Sequence, residues 1–257
     1  MEYVFADTAL AERRLGILAE VFAASTTPFI RGAVPDAPGL ALDLGCGPGH
    51  TTHLLARVLG ATQTVGLDTS ERFIAAATKT RTDRVSFLRH DVTTVPFPVA
   101  AADVAYCRFL LTHLPEPERL LARFGTQLTP GGLLLVEEVD WIETREPALR
   151  TYLAIVEDML ASESTTLYVG PRLDRTVDVH PLVRRASTVA RLAVATRDAA
   201  RMFALNLATW KTRPYVARTV AAGRIARLER DLEALSRAPA GERAIEWGLR
   251  QLVLERS

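Results

Sequence analysis

Three glycines stand at alternate positions in the stretch Ala41-Leu-Asp-Leu-Gly-Cys-Gly-Pro-Gly-His50, directly after an apolar run. Because glycine has no Cβ, Gly45, Gly47 and Gly49 can adopt a positive φ and let a ligand lie against the backbone. The pattern predicts a buried strand that turns sharply into a helix. That helix would begin near His50 and direct unpaired N–H groups and a partial positive charge at the ligand, which suits a carboxylate or a ribose.

Four further short blocks follow this turn along the chain. They are Val65-Gly-Leu-Asp-Thr-Ser70, Arg89-His-Asp-Val92, Asp103-Val-Ala-Tyr-Cys-Arg-Phe-Leu-Leu-Thr-His-Leu-Pro115 and Leu128-Thr-Pro-Gly-Gly-Leu133. In order and spacing the blocks resemble the motifs of the class I S-adenosylmethionine (SAM)-dependent methyltransferases, over roughly residues 1–140. Asp43 lies two places before the first glycine, where Rossmann dehydrogenases usually lack an acid.

The resemblance implies a fold and a cofactor. The expected fold is α/β, with a Rossmann-like, doubly wound, seven-stranded sheet that is mostly parallel, has an antiparallel last strand and carries an inserted helical cap. The expected cofactor is S-adenosyl-L-methionine, with S-adenosyl-L-homocysteine as its product. Ligands of such sheets lie at the carboxyl ends of the strands, which is where the blocks fall.

The resemblance also assigns residues to the nucleoside of the cofactor. Asp68, at the end of the second predicted strand, is expected to accept hydrogen bonds from both ribose hydroxyls, although an Asx turn or a helix cap would use the same residue. Asp91 is expected to accept from the adenine amino group, or to be a turn aspartate alone. Val92 would offer a backbone N–H and an apolar wall, and Thr69 would lie at the edge of the adenosine.

The methionine end of the cofactor is expected at the three glycines. Asp43 would act indirectly there, by holding the turn or a water molecule, and Thr51 would lie near the amino acid group. Arg108 follows the fourth strand, where the family places a residue that lines the methionine moiety. Its backbone carbonyl is the expected contact, because a guanidinium would repel the sulfonium.

Two groups of side chains are candidates for handling the methyl acceptor. His113, in the loop after the fourth strand, could remove a proton from a hydroxyl or an amine, or it could simply pack against the following helix start. Glu138, Asp140 and the neighbouring Trp141 would orient a substrate amine or an aromatic ring. No cluster of acids matches a metal site, so no metal is expected.

Composition limits the class of protein. The chain has 257 residues, of which 48% are hydrophobic and 24% charged, so it can bury a sizeable core. It has no apolar run of about 18 residues, and we therefore expect a cytoplasmic protein without a membrane partner. Cys46 and Cys107 have no metal-ligand spacing and are expected to be buried, reduced thiols.

The charge is unevenly distributed. The chain carries a net charge of only +1, but residues 184–230 contain eleven basic residues and two acidic ones. A solvated helix face would explain this excess, and so would an electrostatic attraction for an anionic substrate.

The chain divides into a core and a two-part cap. Residues 1–39 are predicted to form an N-terminal helical segment, capped by Asp7-Thr8, broken at Thr27-Pro28 and lying over the cofactor cleft. Residues 40–146 alternate strands with helices and form the core, completed by about 171–197 and 241–257. Residues 147–170 and 198–240 are predicted to form a mobile helical lid that selects the substrate.

Several finer boundaries follow from the pattern of apolar residues. A helix is predicted to begin at Pro147 and end in the polar run 162–166, and the last helix that packs on the sheet is predicted within 171–185. Strands are predicted over 133–136, 188–195 and 244–254, the last one antiparallel. Two helices between 198 and 235 would be separated at Arg213-Pro214.

Four functions fit these features. The first is a methyltransferase that modifies an oxygen or a nitrogen of a small molecule, as a monomer or homodimer and without nucleic acid. The others are an RNA or protein methyltransferase with a basic cap, a NAD-dependent oxidoreductase, and a SAM-binding module without catalysis. The sequence lacks an aromatic-rich basic patch and a dehydrogenase catalytic pattern, which favours the first function.

Overall fold

The computed structural model describes residues 8–176, 179–239 and 244–257, and its strands form one seven-stranded sheet. In chain order the strands are β1 (Leu40–Leu44), β2 (Gln63–Asp68), β3 (Val85–Arg89), β4 (Ala102–Arg108), β5 (Leu128–Glu143), β6 (Leu182–Ala195) and β7 (Ala244–Arg256). Their spatial order is β3-β2-β1-β4-β5-β7-β6. β1 to β5 pair in parallel, and β7 runs antiparallel to both β5 and β6. The predicted fold class is confirmed.

Helices connect and cover these strands. They are α1 (Ala9–Ala33), α2 (His50–Leu59), α3 (Glu71–Thr78), α4 (Pro117–Gly125), α5 (Pro147–Ser162), α6 (Gly170–Arg175), α7 (Thr196–Trp210), α8 (Pro214–Thr219) and α9 (Ala222–Arg237), with a one-turn 3₁₀ helix at Leu111–His113. α2, α3 and α4 follow β1, β2 and β4, and the carboxyl ends of these three parallel strands meet at one edge of the sheet.

α1 begins where the sequence predicts but does not end there. The Thr8 hydroxyl caps it by accepting a hydrogen bond from the Ala11 N–H at 3.2 Å. The predicted break at Pro28 is wrong, because the helix continues through this proline to Ala33. Pro28 removes one backbone hydrogen bond, but Ile30 in the following turn is fully buried in an apolar cluster with Leu55 of α2. Tertiary packing therefore preserves the helix beyond the proline.

The last three strands extend beyond the predicted boundaries. β5 runs on to Glu143 because β7 pairs along it as far as the Glu143–Glu246 register. β6 already begins at Leu182, opposite Arg256 of β7, so the helix predicted within 171–185 is wrong beyond Arg175. The pairing partner of β6 lies far away in the sequence, and it overrides the local pattern.

The helical cap packs against α1 and the end of the sheet through one apolar cluster. Tyr152 of α5 stacks on Phe203 of α7 with ring centroids 4.0 Å apart, and Trp210 is fully buried beside them. Phe22 of α1 and Trp247 of β7 belong to the same cluster. α5 has the predicted bounds, and the predicted break at Arg213-Pro214 is present, whereas a further break before α9 was not predicted.

Both cysteines are buried free thiols, as predicted. Within the described ranges no helix combines the length and the apolar character needed to cross a membrane.

Candidate active site

A cavity of about 710 Å³ opens at the carboxyl ends of β1 to β4. Its walls are the glycine turn after β1, the ends of β2 and β3, the loop after β4 and one face of α1. This volume is in the range of small-molecule binding sites, and the position is where parallel α/β sheets bind ligands.

The glycine turn has the backbone that the sequence predicts. Gly45, Gly47 and Gly49 have φ values of 70°, 53° and 89°. A Cβ on Gly45 would lie 2.7 Å from the Leu110 side chain, and one on Gly49 would lie 2.8 Å from the ring of Phe87. Gly45 and Gly47 line the cavity, whereas Gly49 is the N-cap of α2 and packs against β3.

Asp43 is buried beneath this turn and does not line the cavity. One of its carboxylate oxygens accepts hydrogen bonds from the hydroxyls of Thr51 at 2.6 Å and Thr52 at 2.7 Å. Burial raises the pKa of Asp43 to about 6, against the opposing effect of these two hydrogen bonds. The carboxylate fixes the first turn of α2, and Thr51 also reaches the cavity wall.

Asp68 lies at the end of β2 and faces the cavity. One oxygen of its carboxylate accepts from the Gly47 N–H at 2.9 Å, and the other accepts from the Ser70 N–H at 2.8 Å. The carboxylate thus ties the glycine turn to the start of α3. Each oxygen has a further lone pair, so the turn role leaves capacity for ligand hydroxyls.

Asp91, Val92 and Thr69 also line the cavity. One Asp91 oxygen accepts from the backbone N–H of Thr93 at 2.9 Å and from its hydroxyl at 2.7 Å. Partial burial raises the pKa of Asp91, but these hydrogen bonds outweigh it and the net pKa is lowered. Val92 is buried and lines the cavity, and its predicted contact with the adenine stays a prediction.

Arg108 is held by a buried polar network beneath α1. Its Nη1 donates to the Thr26 hydroxyl at 3.0 Å, which donates to the Glu137 carboxylate at 2.6 Å. Glu137 is fully buried and also accepts from the Tyr106 hydroxyl and the Gln251 amide, each at 2.7 Å. The Arg108 side chain lines the cavity, and the predicted role of its carbonyl stays a prediction.

α1 supplies one wall of the cavity, and the sequence analysis placed this helix over the cleft without assigning any of the residues that form the wall. Arg14, Leu15, Leu18 and Ala19 all line the cavity, and Arg14 is only 6% exposed. A signal was present in the sequence, because Arg14 lies four residues from both Leu10 and Leu18 and so falls on the apolar stripe of the helix. A cation on such a stripe is seldom a solvated surface residue.

His113 lies in the 3₁₀ helix after β4 and lines the cavity. Its Nδ1 is shielded from solvent. Burial lowers the pKa of His113 to about 3, and the nearby charge of Arg14 lowers it further. The ring is therefore neutral near pH 7 and a weak proton acceptor. Its predicted catalytic role stays a prediction.

Glu138 and Asp140 do not face the cavity, so their predicted role in orienting a substrate amine is wrong. Glu138 is fully buried and accepts from the N–H groups of Leu110 at 2.8 Å and Leu111 at 2.7 Å, which fixes the loop after β4. Burial raises its pKa to about 8. Asp140 instead forms a salt bridge with Arg250 of β7 at 2.9 Å.

The two segments predicted to form a lid supply none of the described residues that line the cavity. Their helices pack on another face of α1, through the cluster that contains Phe22. α1 therefore contacts both the cavity and the cap. The mobility of the cap and its part in substrate selection stay predictions. In the described ranges no group of three or more histidines, cysteines and acids could hold a metal ion.

Known proteins similar to this chain include methyltransferases. Residues 42–136 match the family model of the methyltransferase domain. Trans-aconitate 2-methyltransferase of Methylobacterium radiotolerans is 38% identical over 120 residues, covering 47% of this chain and 45% of the relative. The enzyme of the same name from Rhizobium meliloti is 36% identical over 162 residues, covering 62% and 58%. The chain thus spans about half the length of the curated relatives it matches.

A solved structure shows the same fold. A putative methyltransferase from Bacillus halodurans superposes with a TM-score of 0.58 at 14% identity, covering 89% of this chain and 96% of that one. The fold and the site thus define a Rossmann-like methyltransferase domain. Residues 42–136 are therefore similar to the methyltransferase domain, as the motifs in this part of the chain indicate.

Proposed function

We propose that the protein transfers a methyl group from SAM to an oxygen of a small organic acid. The observation that carries the proposal is a single cavity in which the glycine turn, Asp68 and Asp91 meet the wall formed by α1 and His113. One set of residues fits the cofactor, and the other leaves room for an acceptor beside it.

The residues at the strand ends fit the cofactor. The N-cap of α2 is Gly49, which supplies no side-chain hydrogen bond, so the first N–H groups of this helix suit the cofactor carboxylate. Asp68 has acceptor capacity for two ribose hydroxyls. Asp91 and the buried Val92 together match an adenine, which is apolar on its faces and polar at its edge.

The side chains of the protein need to supply little of the chemistry themselves. Bound SAM supplies a methyl group on a positively charged sulfur, and a C–O bond to the acceptor forms as the C–S bond breaks and leaves its electron pair on sulfur. The chain itself has to align the acceptor oxygen with the methyl group and exclude water. The position of the cavity, between the strand ends and α1, supports the alignment.

An acid is favoured as acceptor by two independent facts. The curated relatives are named for trans-aconitate, which is a carboxylic acid. A carboxylate is already ionised at neutral pH, since its pKa is about 4, so its methylation needs no base. The lowered pKa of His113 therefore fits a carboxylate better than a hydroxyl or an amine, which has to lose a proton.

The alternative of an RNA or protein substrate bound by a basic cap receives less support. Acidic side chains from outside the basic segment 184–230 pair with several of its basic residues. Glu255 pairs with Arg185 at 2.7 Å, and Glu163 pairs with Arg213 at 2.8 Å. These pairs reduce the positive field that would attract a polyanion.

Two measurements test the proposal. Calorimetry should detect binding of S-adenosylhomocysteine, and incubation with methyl-labelled SAM and a panel of di- and tricarboxylic acids should give a base-labile methyl ester. Binding without transfer to any small molecule would indicate a SAM-binding module without catalysis. Label found only on RNA or protein would support the alternative of an RNA or protein methyltransferase. Absence of S-adenosylhomocysteine binding would contradict the proposal as a whole.

A further inference from the structure

We propose that Arg14 binds a carboxylate of the methyl acceptor and is the residue that selects acids as substrates. This inference rests on the proposed function, because it concerns the acceptor side of the same cavity. It assigns substrate choice to α1 rather than to the basic segment of the cap.

The position of Arg14 is fixed by the helix that carries it. Thr8 caps the start of α1, and Leu15 and Leu18 on neighbouring turns line the same cavity. Arg14 is only 6% exposed and still lines the cavity. A guanidinium remains charged at any pH relevant to the protein, and burying it is costly unless anions or acceptors surround it.

Three other arginines that line the cavity are placed differently. Arg89 and Arg119 have side chains that are 62% and 74% exposed and pair with Glu71 and Glu116 on the surface. Arg108 donates to Thr26 in the buried network. Arg14 is thus the most deeply buried of these cations, and the five N–H donors of a guanidinium let it take a bidentate carboxylate in addition to contacts within the protein.

The surroundings of Arg14 favour an anion over a cation. His113 lies close enough for the charge of Arg14 to lower its pKa, and the ring is neutral. Arg14 and His113 both line the cavity, so the guanidinium, besides its contacts within the protein, can offer N–H donors there beside a neutral ring. A carboxylate would be attracted there, whereas an ammonium group would be repelled.

The competing interpretation is that Arg14 holds the carboxylate of the cofactor. A Cβ on Gly47 would lie 3.3 Å from Leu15, so α1 is near the glycine turn as well. The closeness of Arg14 to His113, which lies in the loop after β4, favours the acceptor. The two interpretations differ in what a substitution does to the binding of S-adenosylhomocysteine.

The experiment compares Arg14→Gln with Arg13→Gln by calorimetry. Arg13 is the neighbouring residue on α1, is exposed and does not line the cavity, so its substitution makes the same change in charge outside the site. Each protein is saturated with S-adenosylhomocysteine and titrated with trans-aconitate as the probe acid. We expect R14Q to bind the acid at least about tenfold more weakly, with S-adenosylhomocysteine affinity unchanged, while R13Q matches the unmodified protein.

Several outcomes would overturn the inference. Acid binding by R14Q within twofold of the unmodified protein would exclude Arg14, and loss of S-adenosylhomocysteine binding in R14Q would assign it to the cofactor. If R14Q does not fold, Arg14→Lys decides, because it keeps the charge but not the bidentate geometry. R14K should bind the acid several-fold more weakly, and undiminished binding would contradict the inference.

An unmodified protein that binds S-adenosylhomocysteine but no acid refutes the inference alone, whereas one that does not bind S-adenosylhomocysteine refutes the proposed function.

Discussion

The two sides of the cavity are built in different ways. The side that we propose for the cofactor, the cofactor side, consists of short turns after β1, β2 and β3, in which each lining residue is held by neighbours close in sequence or by the next strand end. The side that we propose for the acceptor, the acceptor side, consists of α1 and the loop after β4, held by buried residues of β5 such as Glu137 and Glu138. Local sequence therefore determines the first side, and long-range packing determines the second.

The largest expected effect is on the cofactor side, from Gly47→Val. Its φ of 53° is unfavourable for a β-branched residue, and the new side chain would enter the cavity near Leu15. We expect S-adenosylhomocysteine affinity to fall by about a hundredfold or more, measured by calorimetry. Gly60→Val is the matched control, because Gly60 has a φ of 64° with open space around its Cβ position. If both variants lose binding equally, backbone strain rather than blockage of the cavity is responsible.

The next effect is on the acceptor side and concerns stability. The pKa of Glu138 is about 8 in the folded protein, above its unfolded value, so the folded state holds a proton that the unfolded state releases. Its contribution to stability is fully present below the unfolded pKa of about 4.5 and is lost as pH rises toward 8. The unmodified protein should therefore lose on the order of 3 kcal/mol of unfolding free energy between pH 5 and 8 relative to Glu138→Gln. Urea denaturation at several pH values measures this difference, and parallel pH profiles for the two proteins would contradict it.

A smaller effect is expected from Asp68→Ala. The variant removes the charge-assisted hydrogen bonds assigned to the ribose, each contributing about 1.5–3 kcal/mol, so affinity for S-adenosylhomocysteine should drop tenfold or more. Asp103→Ala is the control, because Asp103 also accepts from two backbone N–H groups, those of Gly39 and Leu40, at the opposite edge of the sheet. If Asp68→Ala and Asp103→Ala bind S-adenosylhomocysteine with equal affinity, Asp68 does not contact the cofactor.

The smallest effect is expected from His113→Ala. A neutral ring with a pKa of about 3 is a poor base, and a carboxylate acceptor needs none, so turnover should fall less than about tenfold. The rate should also be nearly independent of pH from about 6 to 8. A loss of about 10²–10⁴-fold would instead make His113 the general base and point to a hydroxyl or an amine as acceptor.

The difference between the two sides of the cavity also explains which residues of the site could be predicted from the sequence. The glycine turn and the positions of Asp68, Asp91 and Val92 were predicted because their types and spacing are local signals. Glu137 could not be assigned, because its role depends on Thr26, which is 111 residues away in the chain. Glu138 was assigned to the cavity wrongly, since nothing in its neighbourhood indicates that it accepts from Leu110 and Leu111 instead.

The errors in the fold have a similar origin. Pro28 is a local signal for a helix end, but the burial of Ile30 against α2 overrides it. The start of β6 depends on β7, whose residues follow it by more than 50 positions in the sequence. Strand pairing and helix packing across such separations do not appear in any local pattern of apolar residues.

α1 contacts the apolar core of the cap with one face and the cavity with another. Phe22 packs on Trp247 with ring centroids 5.1 Å apart, while Arg14 and Leu18 of the same helix line the cavity. A substitution in the core of the cap that displaces α1 would move the wall proposed for the acceptor and leave in place the strand ends proposed to hold the cofactor. Substrate preference can therefore drift through mutations that touch neither ligand, and an experimenter who wants a new acceptor has a reason to randomise the cap core first.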